Sequence, residues 1–222
     1  GNPLLDAILE KKTAPDFPRF IAENKLTDKP ILAVLPGSRK GEISVLLPTM
    51  LEAAAQFPEY QCVIAGAPNM GIEFYQPFMK ESSVPVIWGK TYEILVHSRA
   101  AIVSSGTATL ETAILNVPQV VVYRLTPSWL FNFLKYFFLR TKFVSLVNII
   151  LEKEAVKELI QWNFTLKKVV QELKNILNDP ENEKRMLADY RDMMIKLGDP
   201  GASKRAAGLM VSKLKVSKSI LQ

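Results

Sequence analysis

The residues Ser104-Ser105-Gly106-Thr107-Ala108-Thr109-Leu110-Glu111 carry the sharpest chemical signal in the chain. They follow the apolar run Ala100-Ala101-Ile102-Val103 and precede Thr112-Ala113-Ile114-Leu115. The pattern is that of a buried strand, a tight turn of small polar residues and a helix with a glutamate in its second turn. Such a helix can hold a phosphate, because its first N–H groups lack intrahelical partners and its dipole favours an anion. Glu111 then stands within reach of sugar hydroxyls beside that phosphate. A phosphorylated, sugar-containing ligand satisfies both features, most simply a nucleotide.

A second loop, Leu35-Pro36-Gly37-Ser38-Arg39-Lys40-Gly41-Glu42, also follows an apolar run and opens a helix. Pro36 and Gly37 turn the chain sharply, and glycine lets backbone N–H groups come close to a ligand. Arg39 can place a fixed charge on a diphosphate with bidentate geometry. The Gly89-Lys90-Thr91 tripeptide resembles the end of a P-loop, but Val84 stands where the motif needs its first glycine. The reading kept for residues 89–94 is a backbone lining for the base of the same nucleotide. Ala65-Gly66-Ala67-Pro68-Asn69 ends another apolar run and either faces the ligand cleft or is an ordinary turn. Val144-Ser145-Leu146-Val147-Asn148-Ile149-Ile150 is an apolar strip broken by one amide. A buried asparagine must be hydrogen-bonded, so Asn148 either caps a turn or contacts the ligand. His97, the single histidine, is far in sequence from any carboxylate cluster, and no acidic spacing suggests a metal cage. The charge of a departing diphosphate would therefore fall to Arg39 and helix dipoles.

These loops need a frame, and the apolar runs supply it. Residues 31–35, 61–65, 84–88, 100–104 and 119–123 have strand length, and helical patterns fit at 42–56, 70–81, 91–97 and 107–115. This alternation predicts an α/β fold: a Rossmann-like parallel sheet with helices on both faces. Ligands bind such sheets beyond the carboxyl ends of the strands. Further helices are expected at 127–139, 152–160, 165–178, 181–197 and 202–214. Residues 1–30 hold four prolines and read as a linker with a short helix around Leu4 to Lys11. The expected organisation is that linker, a nucleotide-sugar-binding domain over 31–200 and a helical tail over 201–222.

The 222 residues are 48% hydrophobic, enough for a sizeable core, and carry a net charge of +6 that suits anionic partners. No nucleic-acid-binding motif accompanies the basic residues, so nucleic acid is not an expected partner. The single cysteine, Cys62, excludes a disulfide within the chain and reads as buried. The chain begins Gly1-Asn2-Pro3, which suggests a piece of a longer protein. No run reaches the ~20 apolar residues that span a bilayer. The aromatic stretch Trp129–Leu139, with Lys135, Arg140 and Lys142 nearby, reads either as a helix on a membrane surface or as a face covered by a partner domain.

In order along the chain, Pro3-Leu4-Leu5-Asp6, Leu35-Pro36-Gly37-Ser38-Arg39 with Glu42, Ser105-Gly106-Thr107-Ala108 with Leu110-Glu111, Val121-Val122-Tyr123-Arg124 and Val144-Ser145-Leu146 with Asn148 resemble the C-terminal half of the lipid-A-disaccharide synthases. These are bacterial glycosyltransferases of the GT-B fold. Val147 departs from the proline that the family commonly carries before the asparagine. The resemblance implies a UDP-2,3-diacylglucosamine donor, a 2,3-diacylglucosamine 1-phosphate (lipid X) acceptor and inversion at the anomeric carbon, with UDP released and no cofactor. It implies that Arg39 meets the diphosphate and stabilises its charge, that Ser105, Gly106 and Thr107 form the phosphate turn, and that Gly37 and Ser38 also bind the substrate. Glu111 would bind the ribose diol and Asn148 would lie near the donor. It further implies an N-terminal GT-B domain that holds the general base, and a cytoplasmic, peripheral location on the inner membrane through Trp129–Leu139. The helical tail leaves room for a homodimer. Two other readings share the phosphate turn: a UDP-N-acetylglucosamine 2-epimerase-like enzyme and a noncatalytic nucleotide- or membrane-binding module.

Overall fold

The computed structural model of the protein describes residues 2–10, 15–79, 84–124 and 142–220, the last eight as backbone alone. The expected helix over 127–139 and the Trp129–Leu139 stretch lie outside the described residues. Helices α1 (Pro3–Glu10) and α2 (Phe17–Glu23) lead into β1 (Ile31–Leu35), α3 (Lys40–Ala54), β2 (Gln61–Gly66), α4 (Ile72–Met79), β3 (Val86–Trp88) and α5 (Thr91–Val96). There follow β4 (Ser98–Ser104), α6 (Thr107–Ile114), β5 (Gln119–Tyr123), α7 (Leu146–Leu151), β6 (Lys157–Ile160), α8 (Leu166–Asn178), α9 (Pro180–Leu197) and α10 (Ala202–Ile220). The strands form one six-stranded sheet in the order β3-β2-β1-β4-β5-β6, and every neighbouring pair is parallel.

Alternation along the strands divides the core between the two faces of this sheet. Leu32, Val34, Ile64, Ile102 and Val122 join the larger cluster with residues of α1, α3, α4, α6, α7, α8 and α9. Ile31, Ala33, Leu35, Val63, Ala101 and Val103 join the smaller one with Phe20 of α2 and Ile94 and Leu95 of α5. Near-continuous apolar strands are what a parallel sheet covered on both faces demands, and each fully buried Val or Ile contributes roughly 1.5–3 kcal/mol. Helix α8 presents Val169, Leu173 and Ile176 at helical spacing, and its N-terminus is capped by Thr165. Helix α9 buries Met186, Tyr190, Met193 and Leu197, starts on Asp179-Pro180 and stops at Gly198, whose φ is +74°. The Arg99 guanidinium at the start of β4 meets the Glu183 carboxylate of α9 through both of its oxygens.

Two stretches depart from the sequence expectation. The segment before residue 30 contains two helices rather than one, and Leu5, Ile8 and Phe20 are buried. Asp6 accepts hydrogen bonds from the Gly201 and Ser203 backbone N–H groups, so α1 holds the start of α10. Residues 152–160, expected as a helix, instead end α7 and supply β6. Glu152 takes a left-handed conformation (φ 58°) that terminates α7, and Lys157–Ile160 pair with Val120–Tyr123. The open edge of β5 outweighs the helix-forming composition of these residues.

Candidate functional site

Strands β1 and β4 lie side by side at the centre of the sheet, and the chain leaves them in opposite directions. After β1 it passes through α3 to β2, and after β4 through α6 to β5. The divergence opens a crevice beyond the carboxyl ends of the two strands, the general ligand position in doubly wound sheets.

The wall after β1 is shaped by Gly37, whose φ of +104° disfavours any other residue. A Cβ there would collide with the Glu42 carboxyl group. Glu42 sits in the first turn of α3 and reaches across the crevice, where it accepts a hydrogen bond from the Ser104 hydroxyl at the end of β4. The third wall is the end of β2. A Cβ on Gly66 would stand 2.6 Å from Nε1 of Trp88. The Ala67 N–H donates to the Tyr75 hydroxyl at 2.8 Å and Trp88 Nε1 donates to the Met70 carbonyl at 2.7 Å.

The turn after β4 is tied down on its far side and open toward the crevice. The Ser105 N–H donates to the Val122 carbonyl at 3.1 Å, and its hydroxyl to the Val144 carbonyl at 3.0 Å. Thr109 Oγ1 donates to the Gly106 carbonyl at 2.8 Å and accepts from the Leu146 N–H at 3.3 Å. Gly106 itself has φ +145°, and nothing lies within 4 Å of where its Cβ would be. The backbone is thus bare where α6 begins.

The helix caps separate this region from the rest of the molecule. Asp16, Ser145, Thr165 and Asp179 cap α2, α7, α8 and α9 with side-chain oxygens. The residues before α3, α5 and α6 are Arg39, Lys90 and Gly106, and none makes a side-chain cap bond. Those three starts surround the crevice. At α3 and α6 the first N–H groups have no intrahelical acceptor and are placed to meet a ligand.

Two adjoining hollows fill the crevice. One, of about 240 Å³, is lined by Gly37, Ser38, Glu42, Ser105, Gly106 and Thr107 among others. The other, of about 250 Å³, is lined by Gly89, Lys90, Tyr92 and Glu93, and both share Gly66, Pro68, Thr91 and Glu111. Glu111 therefore stands on the partition, as a ribose ligand between a phosphate and a base would. The Tyr92 hydroxyl donates to Glu111 Oε1 at 3.0 Å. Burial and then the neighbouring Glu111 charge push the Tyr92 phenol up to about 12.

Of the residues singled out from sequence, Gly37, Ser38, Ser105, Gly106, Thr107 and Glu111 all line the first hollow. Arg39 is exposed at the start of α3, outside that lining, with its charge close enough to oppose the upward shift that burial imposes on Tyr123. Asn148 is not brought to the crevice lining. Its buried amide accepts from the Ala155 and Val156 N–H groups at 2.8 and 2.9 Å and donates to the Val156 carbonyl and to Glu158 at 2.8 Å. It braces the connection from α7 to β6. From sequence, residues 89–94 have a backbone role only, and neither the Glu42 nor the Tyr92 side chain is assigned to the site. Glu42 is visible there only as part of a loop motif, and nothing in the spacing of residues 92 and 111 announces their contact. His97 sits against Phe17 and Phe20, with Nε2 2.9 Å from the Pro15 carbonyl. Among the described residues no three His, Cys, Asp or Glu side chains gather as a metal site, and no helix is long and apolar enough to cross a membrane.

This arrangement agrees with what the chain is similar to. A sequence model of the lipid-A-disaccharide synthetase family matches residues 1–211. Lipid-A-disaccharide synthase of Gloeothece citriformis is 36% identical over 93% of the chain and 55% of that protein. The synthase of Syntrophus aciditrophicus is 34% identical over 98% of the chain and 57% of that protein. The chain thus spans about half the length of the curated relatives it matches. Among solved structures, UDP-GlcNAc 2-epimerase from Neisseria meningitidis bound to UDP-GlcNAc superposes with a TM-score of 0.63 at 17% identity. It covers 96% of the chain and 54% of that structure's chain. The calicheamicin glycosyltransferase CalG4 gives 0.51 at 19% identity over 85% of the chain and 43% of its own. At these identities the structural likeness is one of fold.

Proposed function

The chain belongs to the lipid-A-disaccharide synthetase family, and from that premise we propose that it forms the nucleotide-sugar-binding half of an inverting glycosyltransferase. The donor is UDP-2,3-diacylglucosamine and the acceptor is 2,3-diacylglucosamine 1-phosphate. The acceptor's 6-hydroxyl attacks the anomeric carbon of the donor, the new bond forms on the opposite face, and UDP departs with the electron pair. The observation that carries this reading is the pair of uncapped helices, α3 and α6, that open on one hollow with Glu111 on its partition.

The chain's own residues act on the leaving group. Backbone N–H groups at Gly37–Ser38 and Gly106–Thr107 face the diphosphate, where developing negative charge gains from fixed donors in a partly enclosed site. Arg39, exposed beside them, adds a cation that can swing onto a phosphate. Glu111 takes the ribose hydroxyls, and the Gly89–Glu93 wall takes the base. The general base and most of the acceptor site belong to a second, N-terminal domain. The protein works as a peripheral enzyme at the cytoplasmic face of the inner membrane, where the chain's net charge of +6 favours acidic lipid.

Calorimetry with UDP, UDP-GlcNAc, ATP and NAD tests the ligand class. UDP and UDP-GlcNAc should bind in preference to the other two, and Glu111→Ala should weaken UDP by about 1–3 kcal/mol through loss of charge-assisted hydrogen bonds. A preference for ATP or NAD overturns the reading. Fusion to the N-terminal part of the Gloeothece citriformis relative should give turnover of acylated donor, whereas the 222-residue chain alone should give none.

A further inference from the structure

Glu111 is a helical residue on the partition between the two hollows, and it does not stand alone there. Tyr92, in the first turn of α5, reaches it from a different element, with its hydroxyl 3.0 Å from Oε1. The Tyr92 ring packs against the larger core cluster, so the phenol oxygen is held in place by apolar contacts. A tyrosine phenol is protonated at neutral pH, and burial and the Glu111 charge push this one further up. The direction of the bond is therefore set: the tyrosine donates and the carboxylate accepts. A glutamate side chain ends in a torsion with a broad, shallow preference, and one donor fixed at Oε1 removes that freedom. Oε2 and the remaining lone pair of Oε1 then point at one place before any ligand arrives.

We infer that Tyr92 is a positioning residue that fixes the Glu111 carboxylate for a vicinal diol, making this site selective for a ribonucleoside diphosphate over its 2′-deoxy counterpart. The inference rests on the reading of Glu111 as the ribose ligand. It assigns a role to a side chain in a wall that otherwise offers backbone. Preorganisation of this kind strengthens binding by removing an ordering cost rather than by adding a contact. Loss of the phenol oxygen therefore acts on the diol and leaves the phosphate turns alone. A tyrosine that served only the packing of α5 would change every ligand alike.

The test is titration of the 222-residue chain with UDP, 2′-deoxy-UDP and inorganic pyrophosphate, for the wild type, Tyr92→Phe and Glu111→Ala. Phenylalanine keeps the ring and its packing. Tyr92→Phe should bind UDP about 5–10-fold more weakly, the scale of one ordinary net hydrogen bond, since the phenol acts through Glu111 and does not touch the ligand. Its affinities for 2′-deoxy-UDP and pyrophosphate should stay near wild type, so that the preference for UDP over 2′-deoxy-UDP collapses. An unchanged preference in Tyr92→Phe, or an equal loss for all three ligands, overturns the inference. Glu111→Ala separates the two levels. If it abolishes the preference while Tyr92→Phe does not, the ribose reading stands and the positioning role fails. If Glu111→Ala leaves the preference intact, or the wild type shows none, both fall together.

Discussion

The strand-end crevice and a second hollow, between the start of β6 and the corner of α8 and α9, make an instructive pair. The second is the roomier, at about 590 Å³ against about 240 Å³ for the phosphate hollow. Its lining is polar and engaged with itself. Lys157 pairs with Glu154 at 3.2 Å, and the Asn182 amide donates to the Asn175 carbonyl at 3.1 Å. Arg185 donates to Asn182 Oδ1 at 2.8 Å, and Asp179 accepts from the Glu181 and Asn182 N–H groups that begin α9. The smaller hollow is lined by backbone at Gly37 and Gly106 and by the uncapped starts of α3 and α6. Volume measures how elements happen to meet. Donors without a side-chain cap show where a ligand is expected, because α2, α7, α8 and α9 satisfy their starts with side-chain oxygens.

Asn148 gives the sharpest way to break this comparison, since its sequence motif points to the ligand and its bonds point inward. Asn148→Ala removes the acceptor of the buried Val156 N–H, one of the two acceptors of the Ala155 N–H, and the donor to the Val156 carbonyl and Glu158. Leaving such groups unsatisfied should cost about 2–4 kcal/mol of stability in urea denaturation. UDP affinity of the folded molecules should be unchanged. A stable Asn148→Ala protein that fails to bind UDP would return Asn148 to the site and make the engaged region part of the ligand surface.

That residue also shows how far the sequence could be read. The turn at Ser105–Thr107, the loop at Gly37–Ser38 and the glutamate at 111 were legible because strand, turn and helix each leave a local pattern, and the topology then brings the loops to one crevice. Strands β1, β2, β4 and β5 were legible for the same reason. What failed was set at long range. Glu152 to Ile160 has the composition of a helix, and its strand exists because β5 has an open edge and Asn148 fixes the bend at Ala155 and Val156 that leads into it. Helix α2 was hidden in a proline-rich stretch whose burial depends on Phe20 reaching the smaller cluster. Ser104 to Glu42 and Tyr92 to Glu111 are contacts across 62 and 19 residues, and no local pattern announces either.

Gly37 and Gly201 sharpen the comparison at constant backbone cost. Both have positive φ, +104° and +94°, so alanine at either should cost about 1–3 kcal/mol in strain. At Gly37 the added Cβ also drives the Glu42 carboxyl away from Ser104, whereas at Gly201 it meets only the flexible end of Arg205, at 3.1 Å. Gly37→Ala should therefore lose about 10-fold in UDP affinity, a little over 1 kcal/mol, beyond its loss of stability. Gly201→Ala should lose stability and keep its affinity. Equal affinity in the two variants would mean that the loop after β1 does not shape the phosphate position.

The smallest effect belongs to the roomier hollow. Arg185 lines it, donates to Asn182 and stands 3.8 Å from Asp189. Lys153 already holds Asp189 at 2.6 Å, so truncation of Arg185 leaves no carboxylate unpaired. Exposed pairs of this kind contribute little, and Arg185→Ala should shift stability by less than about 0.5 kcal/mol and UDP affinity not at all. The strength of this prediction lies in its sign. If a cavity bound nucleotide because it is large and carries a cation, loss of Arg185 would remove most of the binding while Gly37→Ala did little. If binding follows unengaged backbone donors, the order is reversed, and the two variants measured side by side by calorimetry decide between volume and unmet hydrogen bonds as the mark of the site.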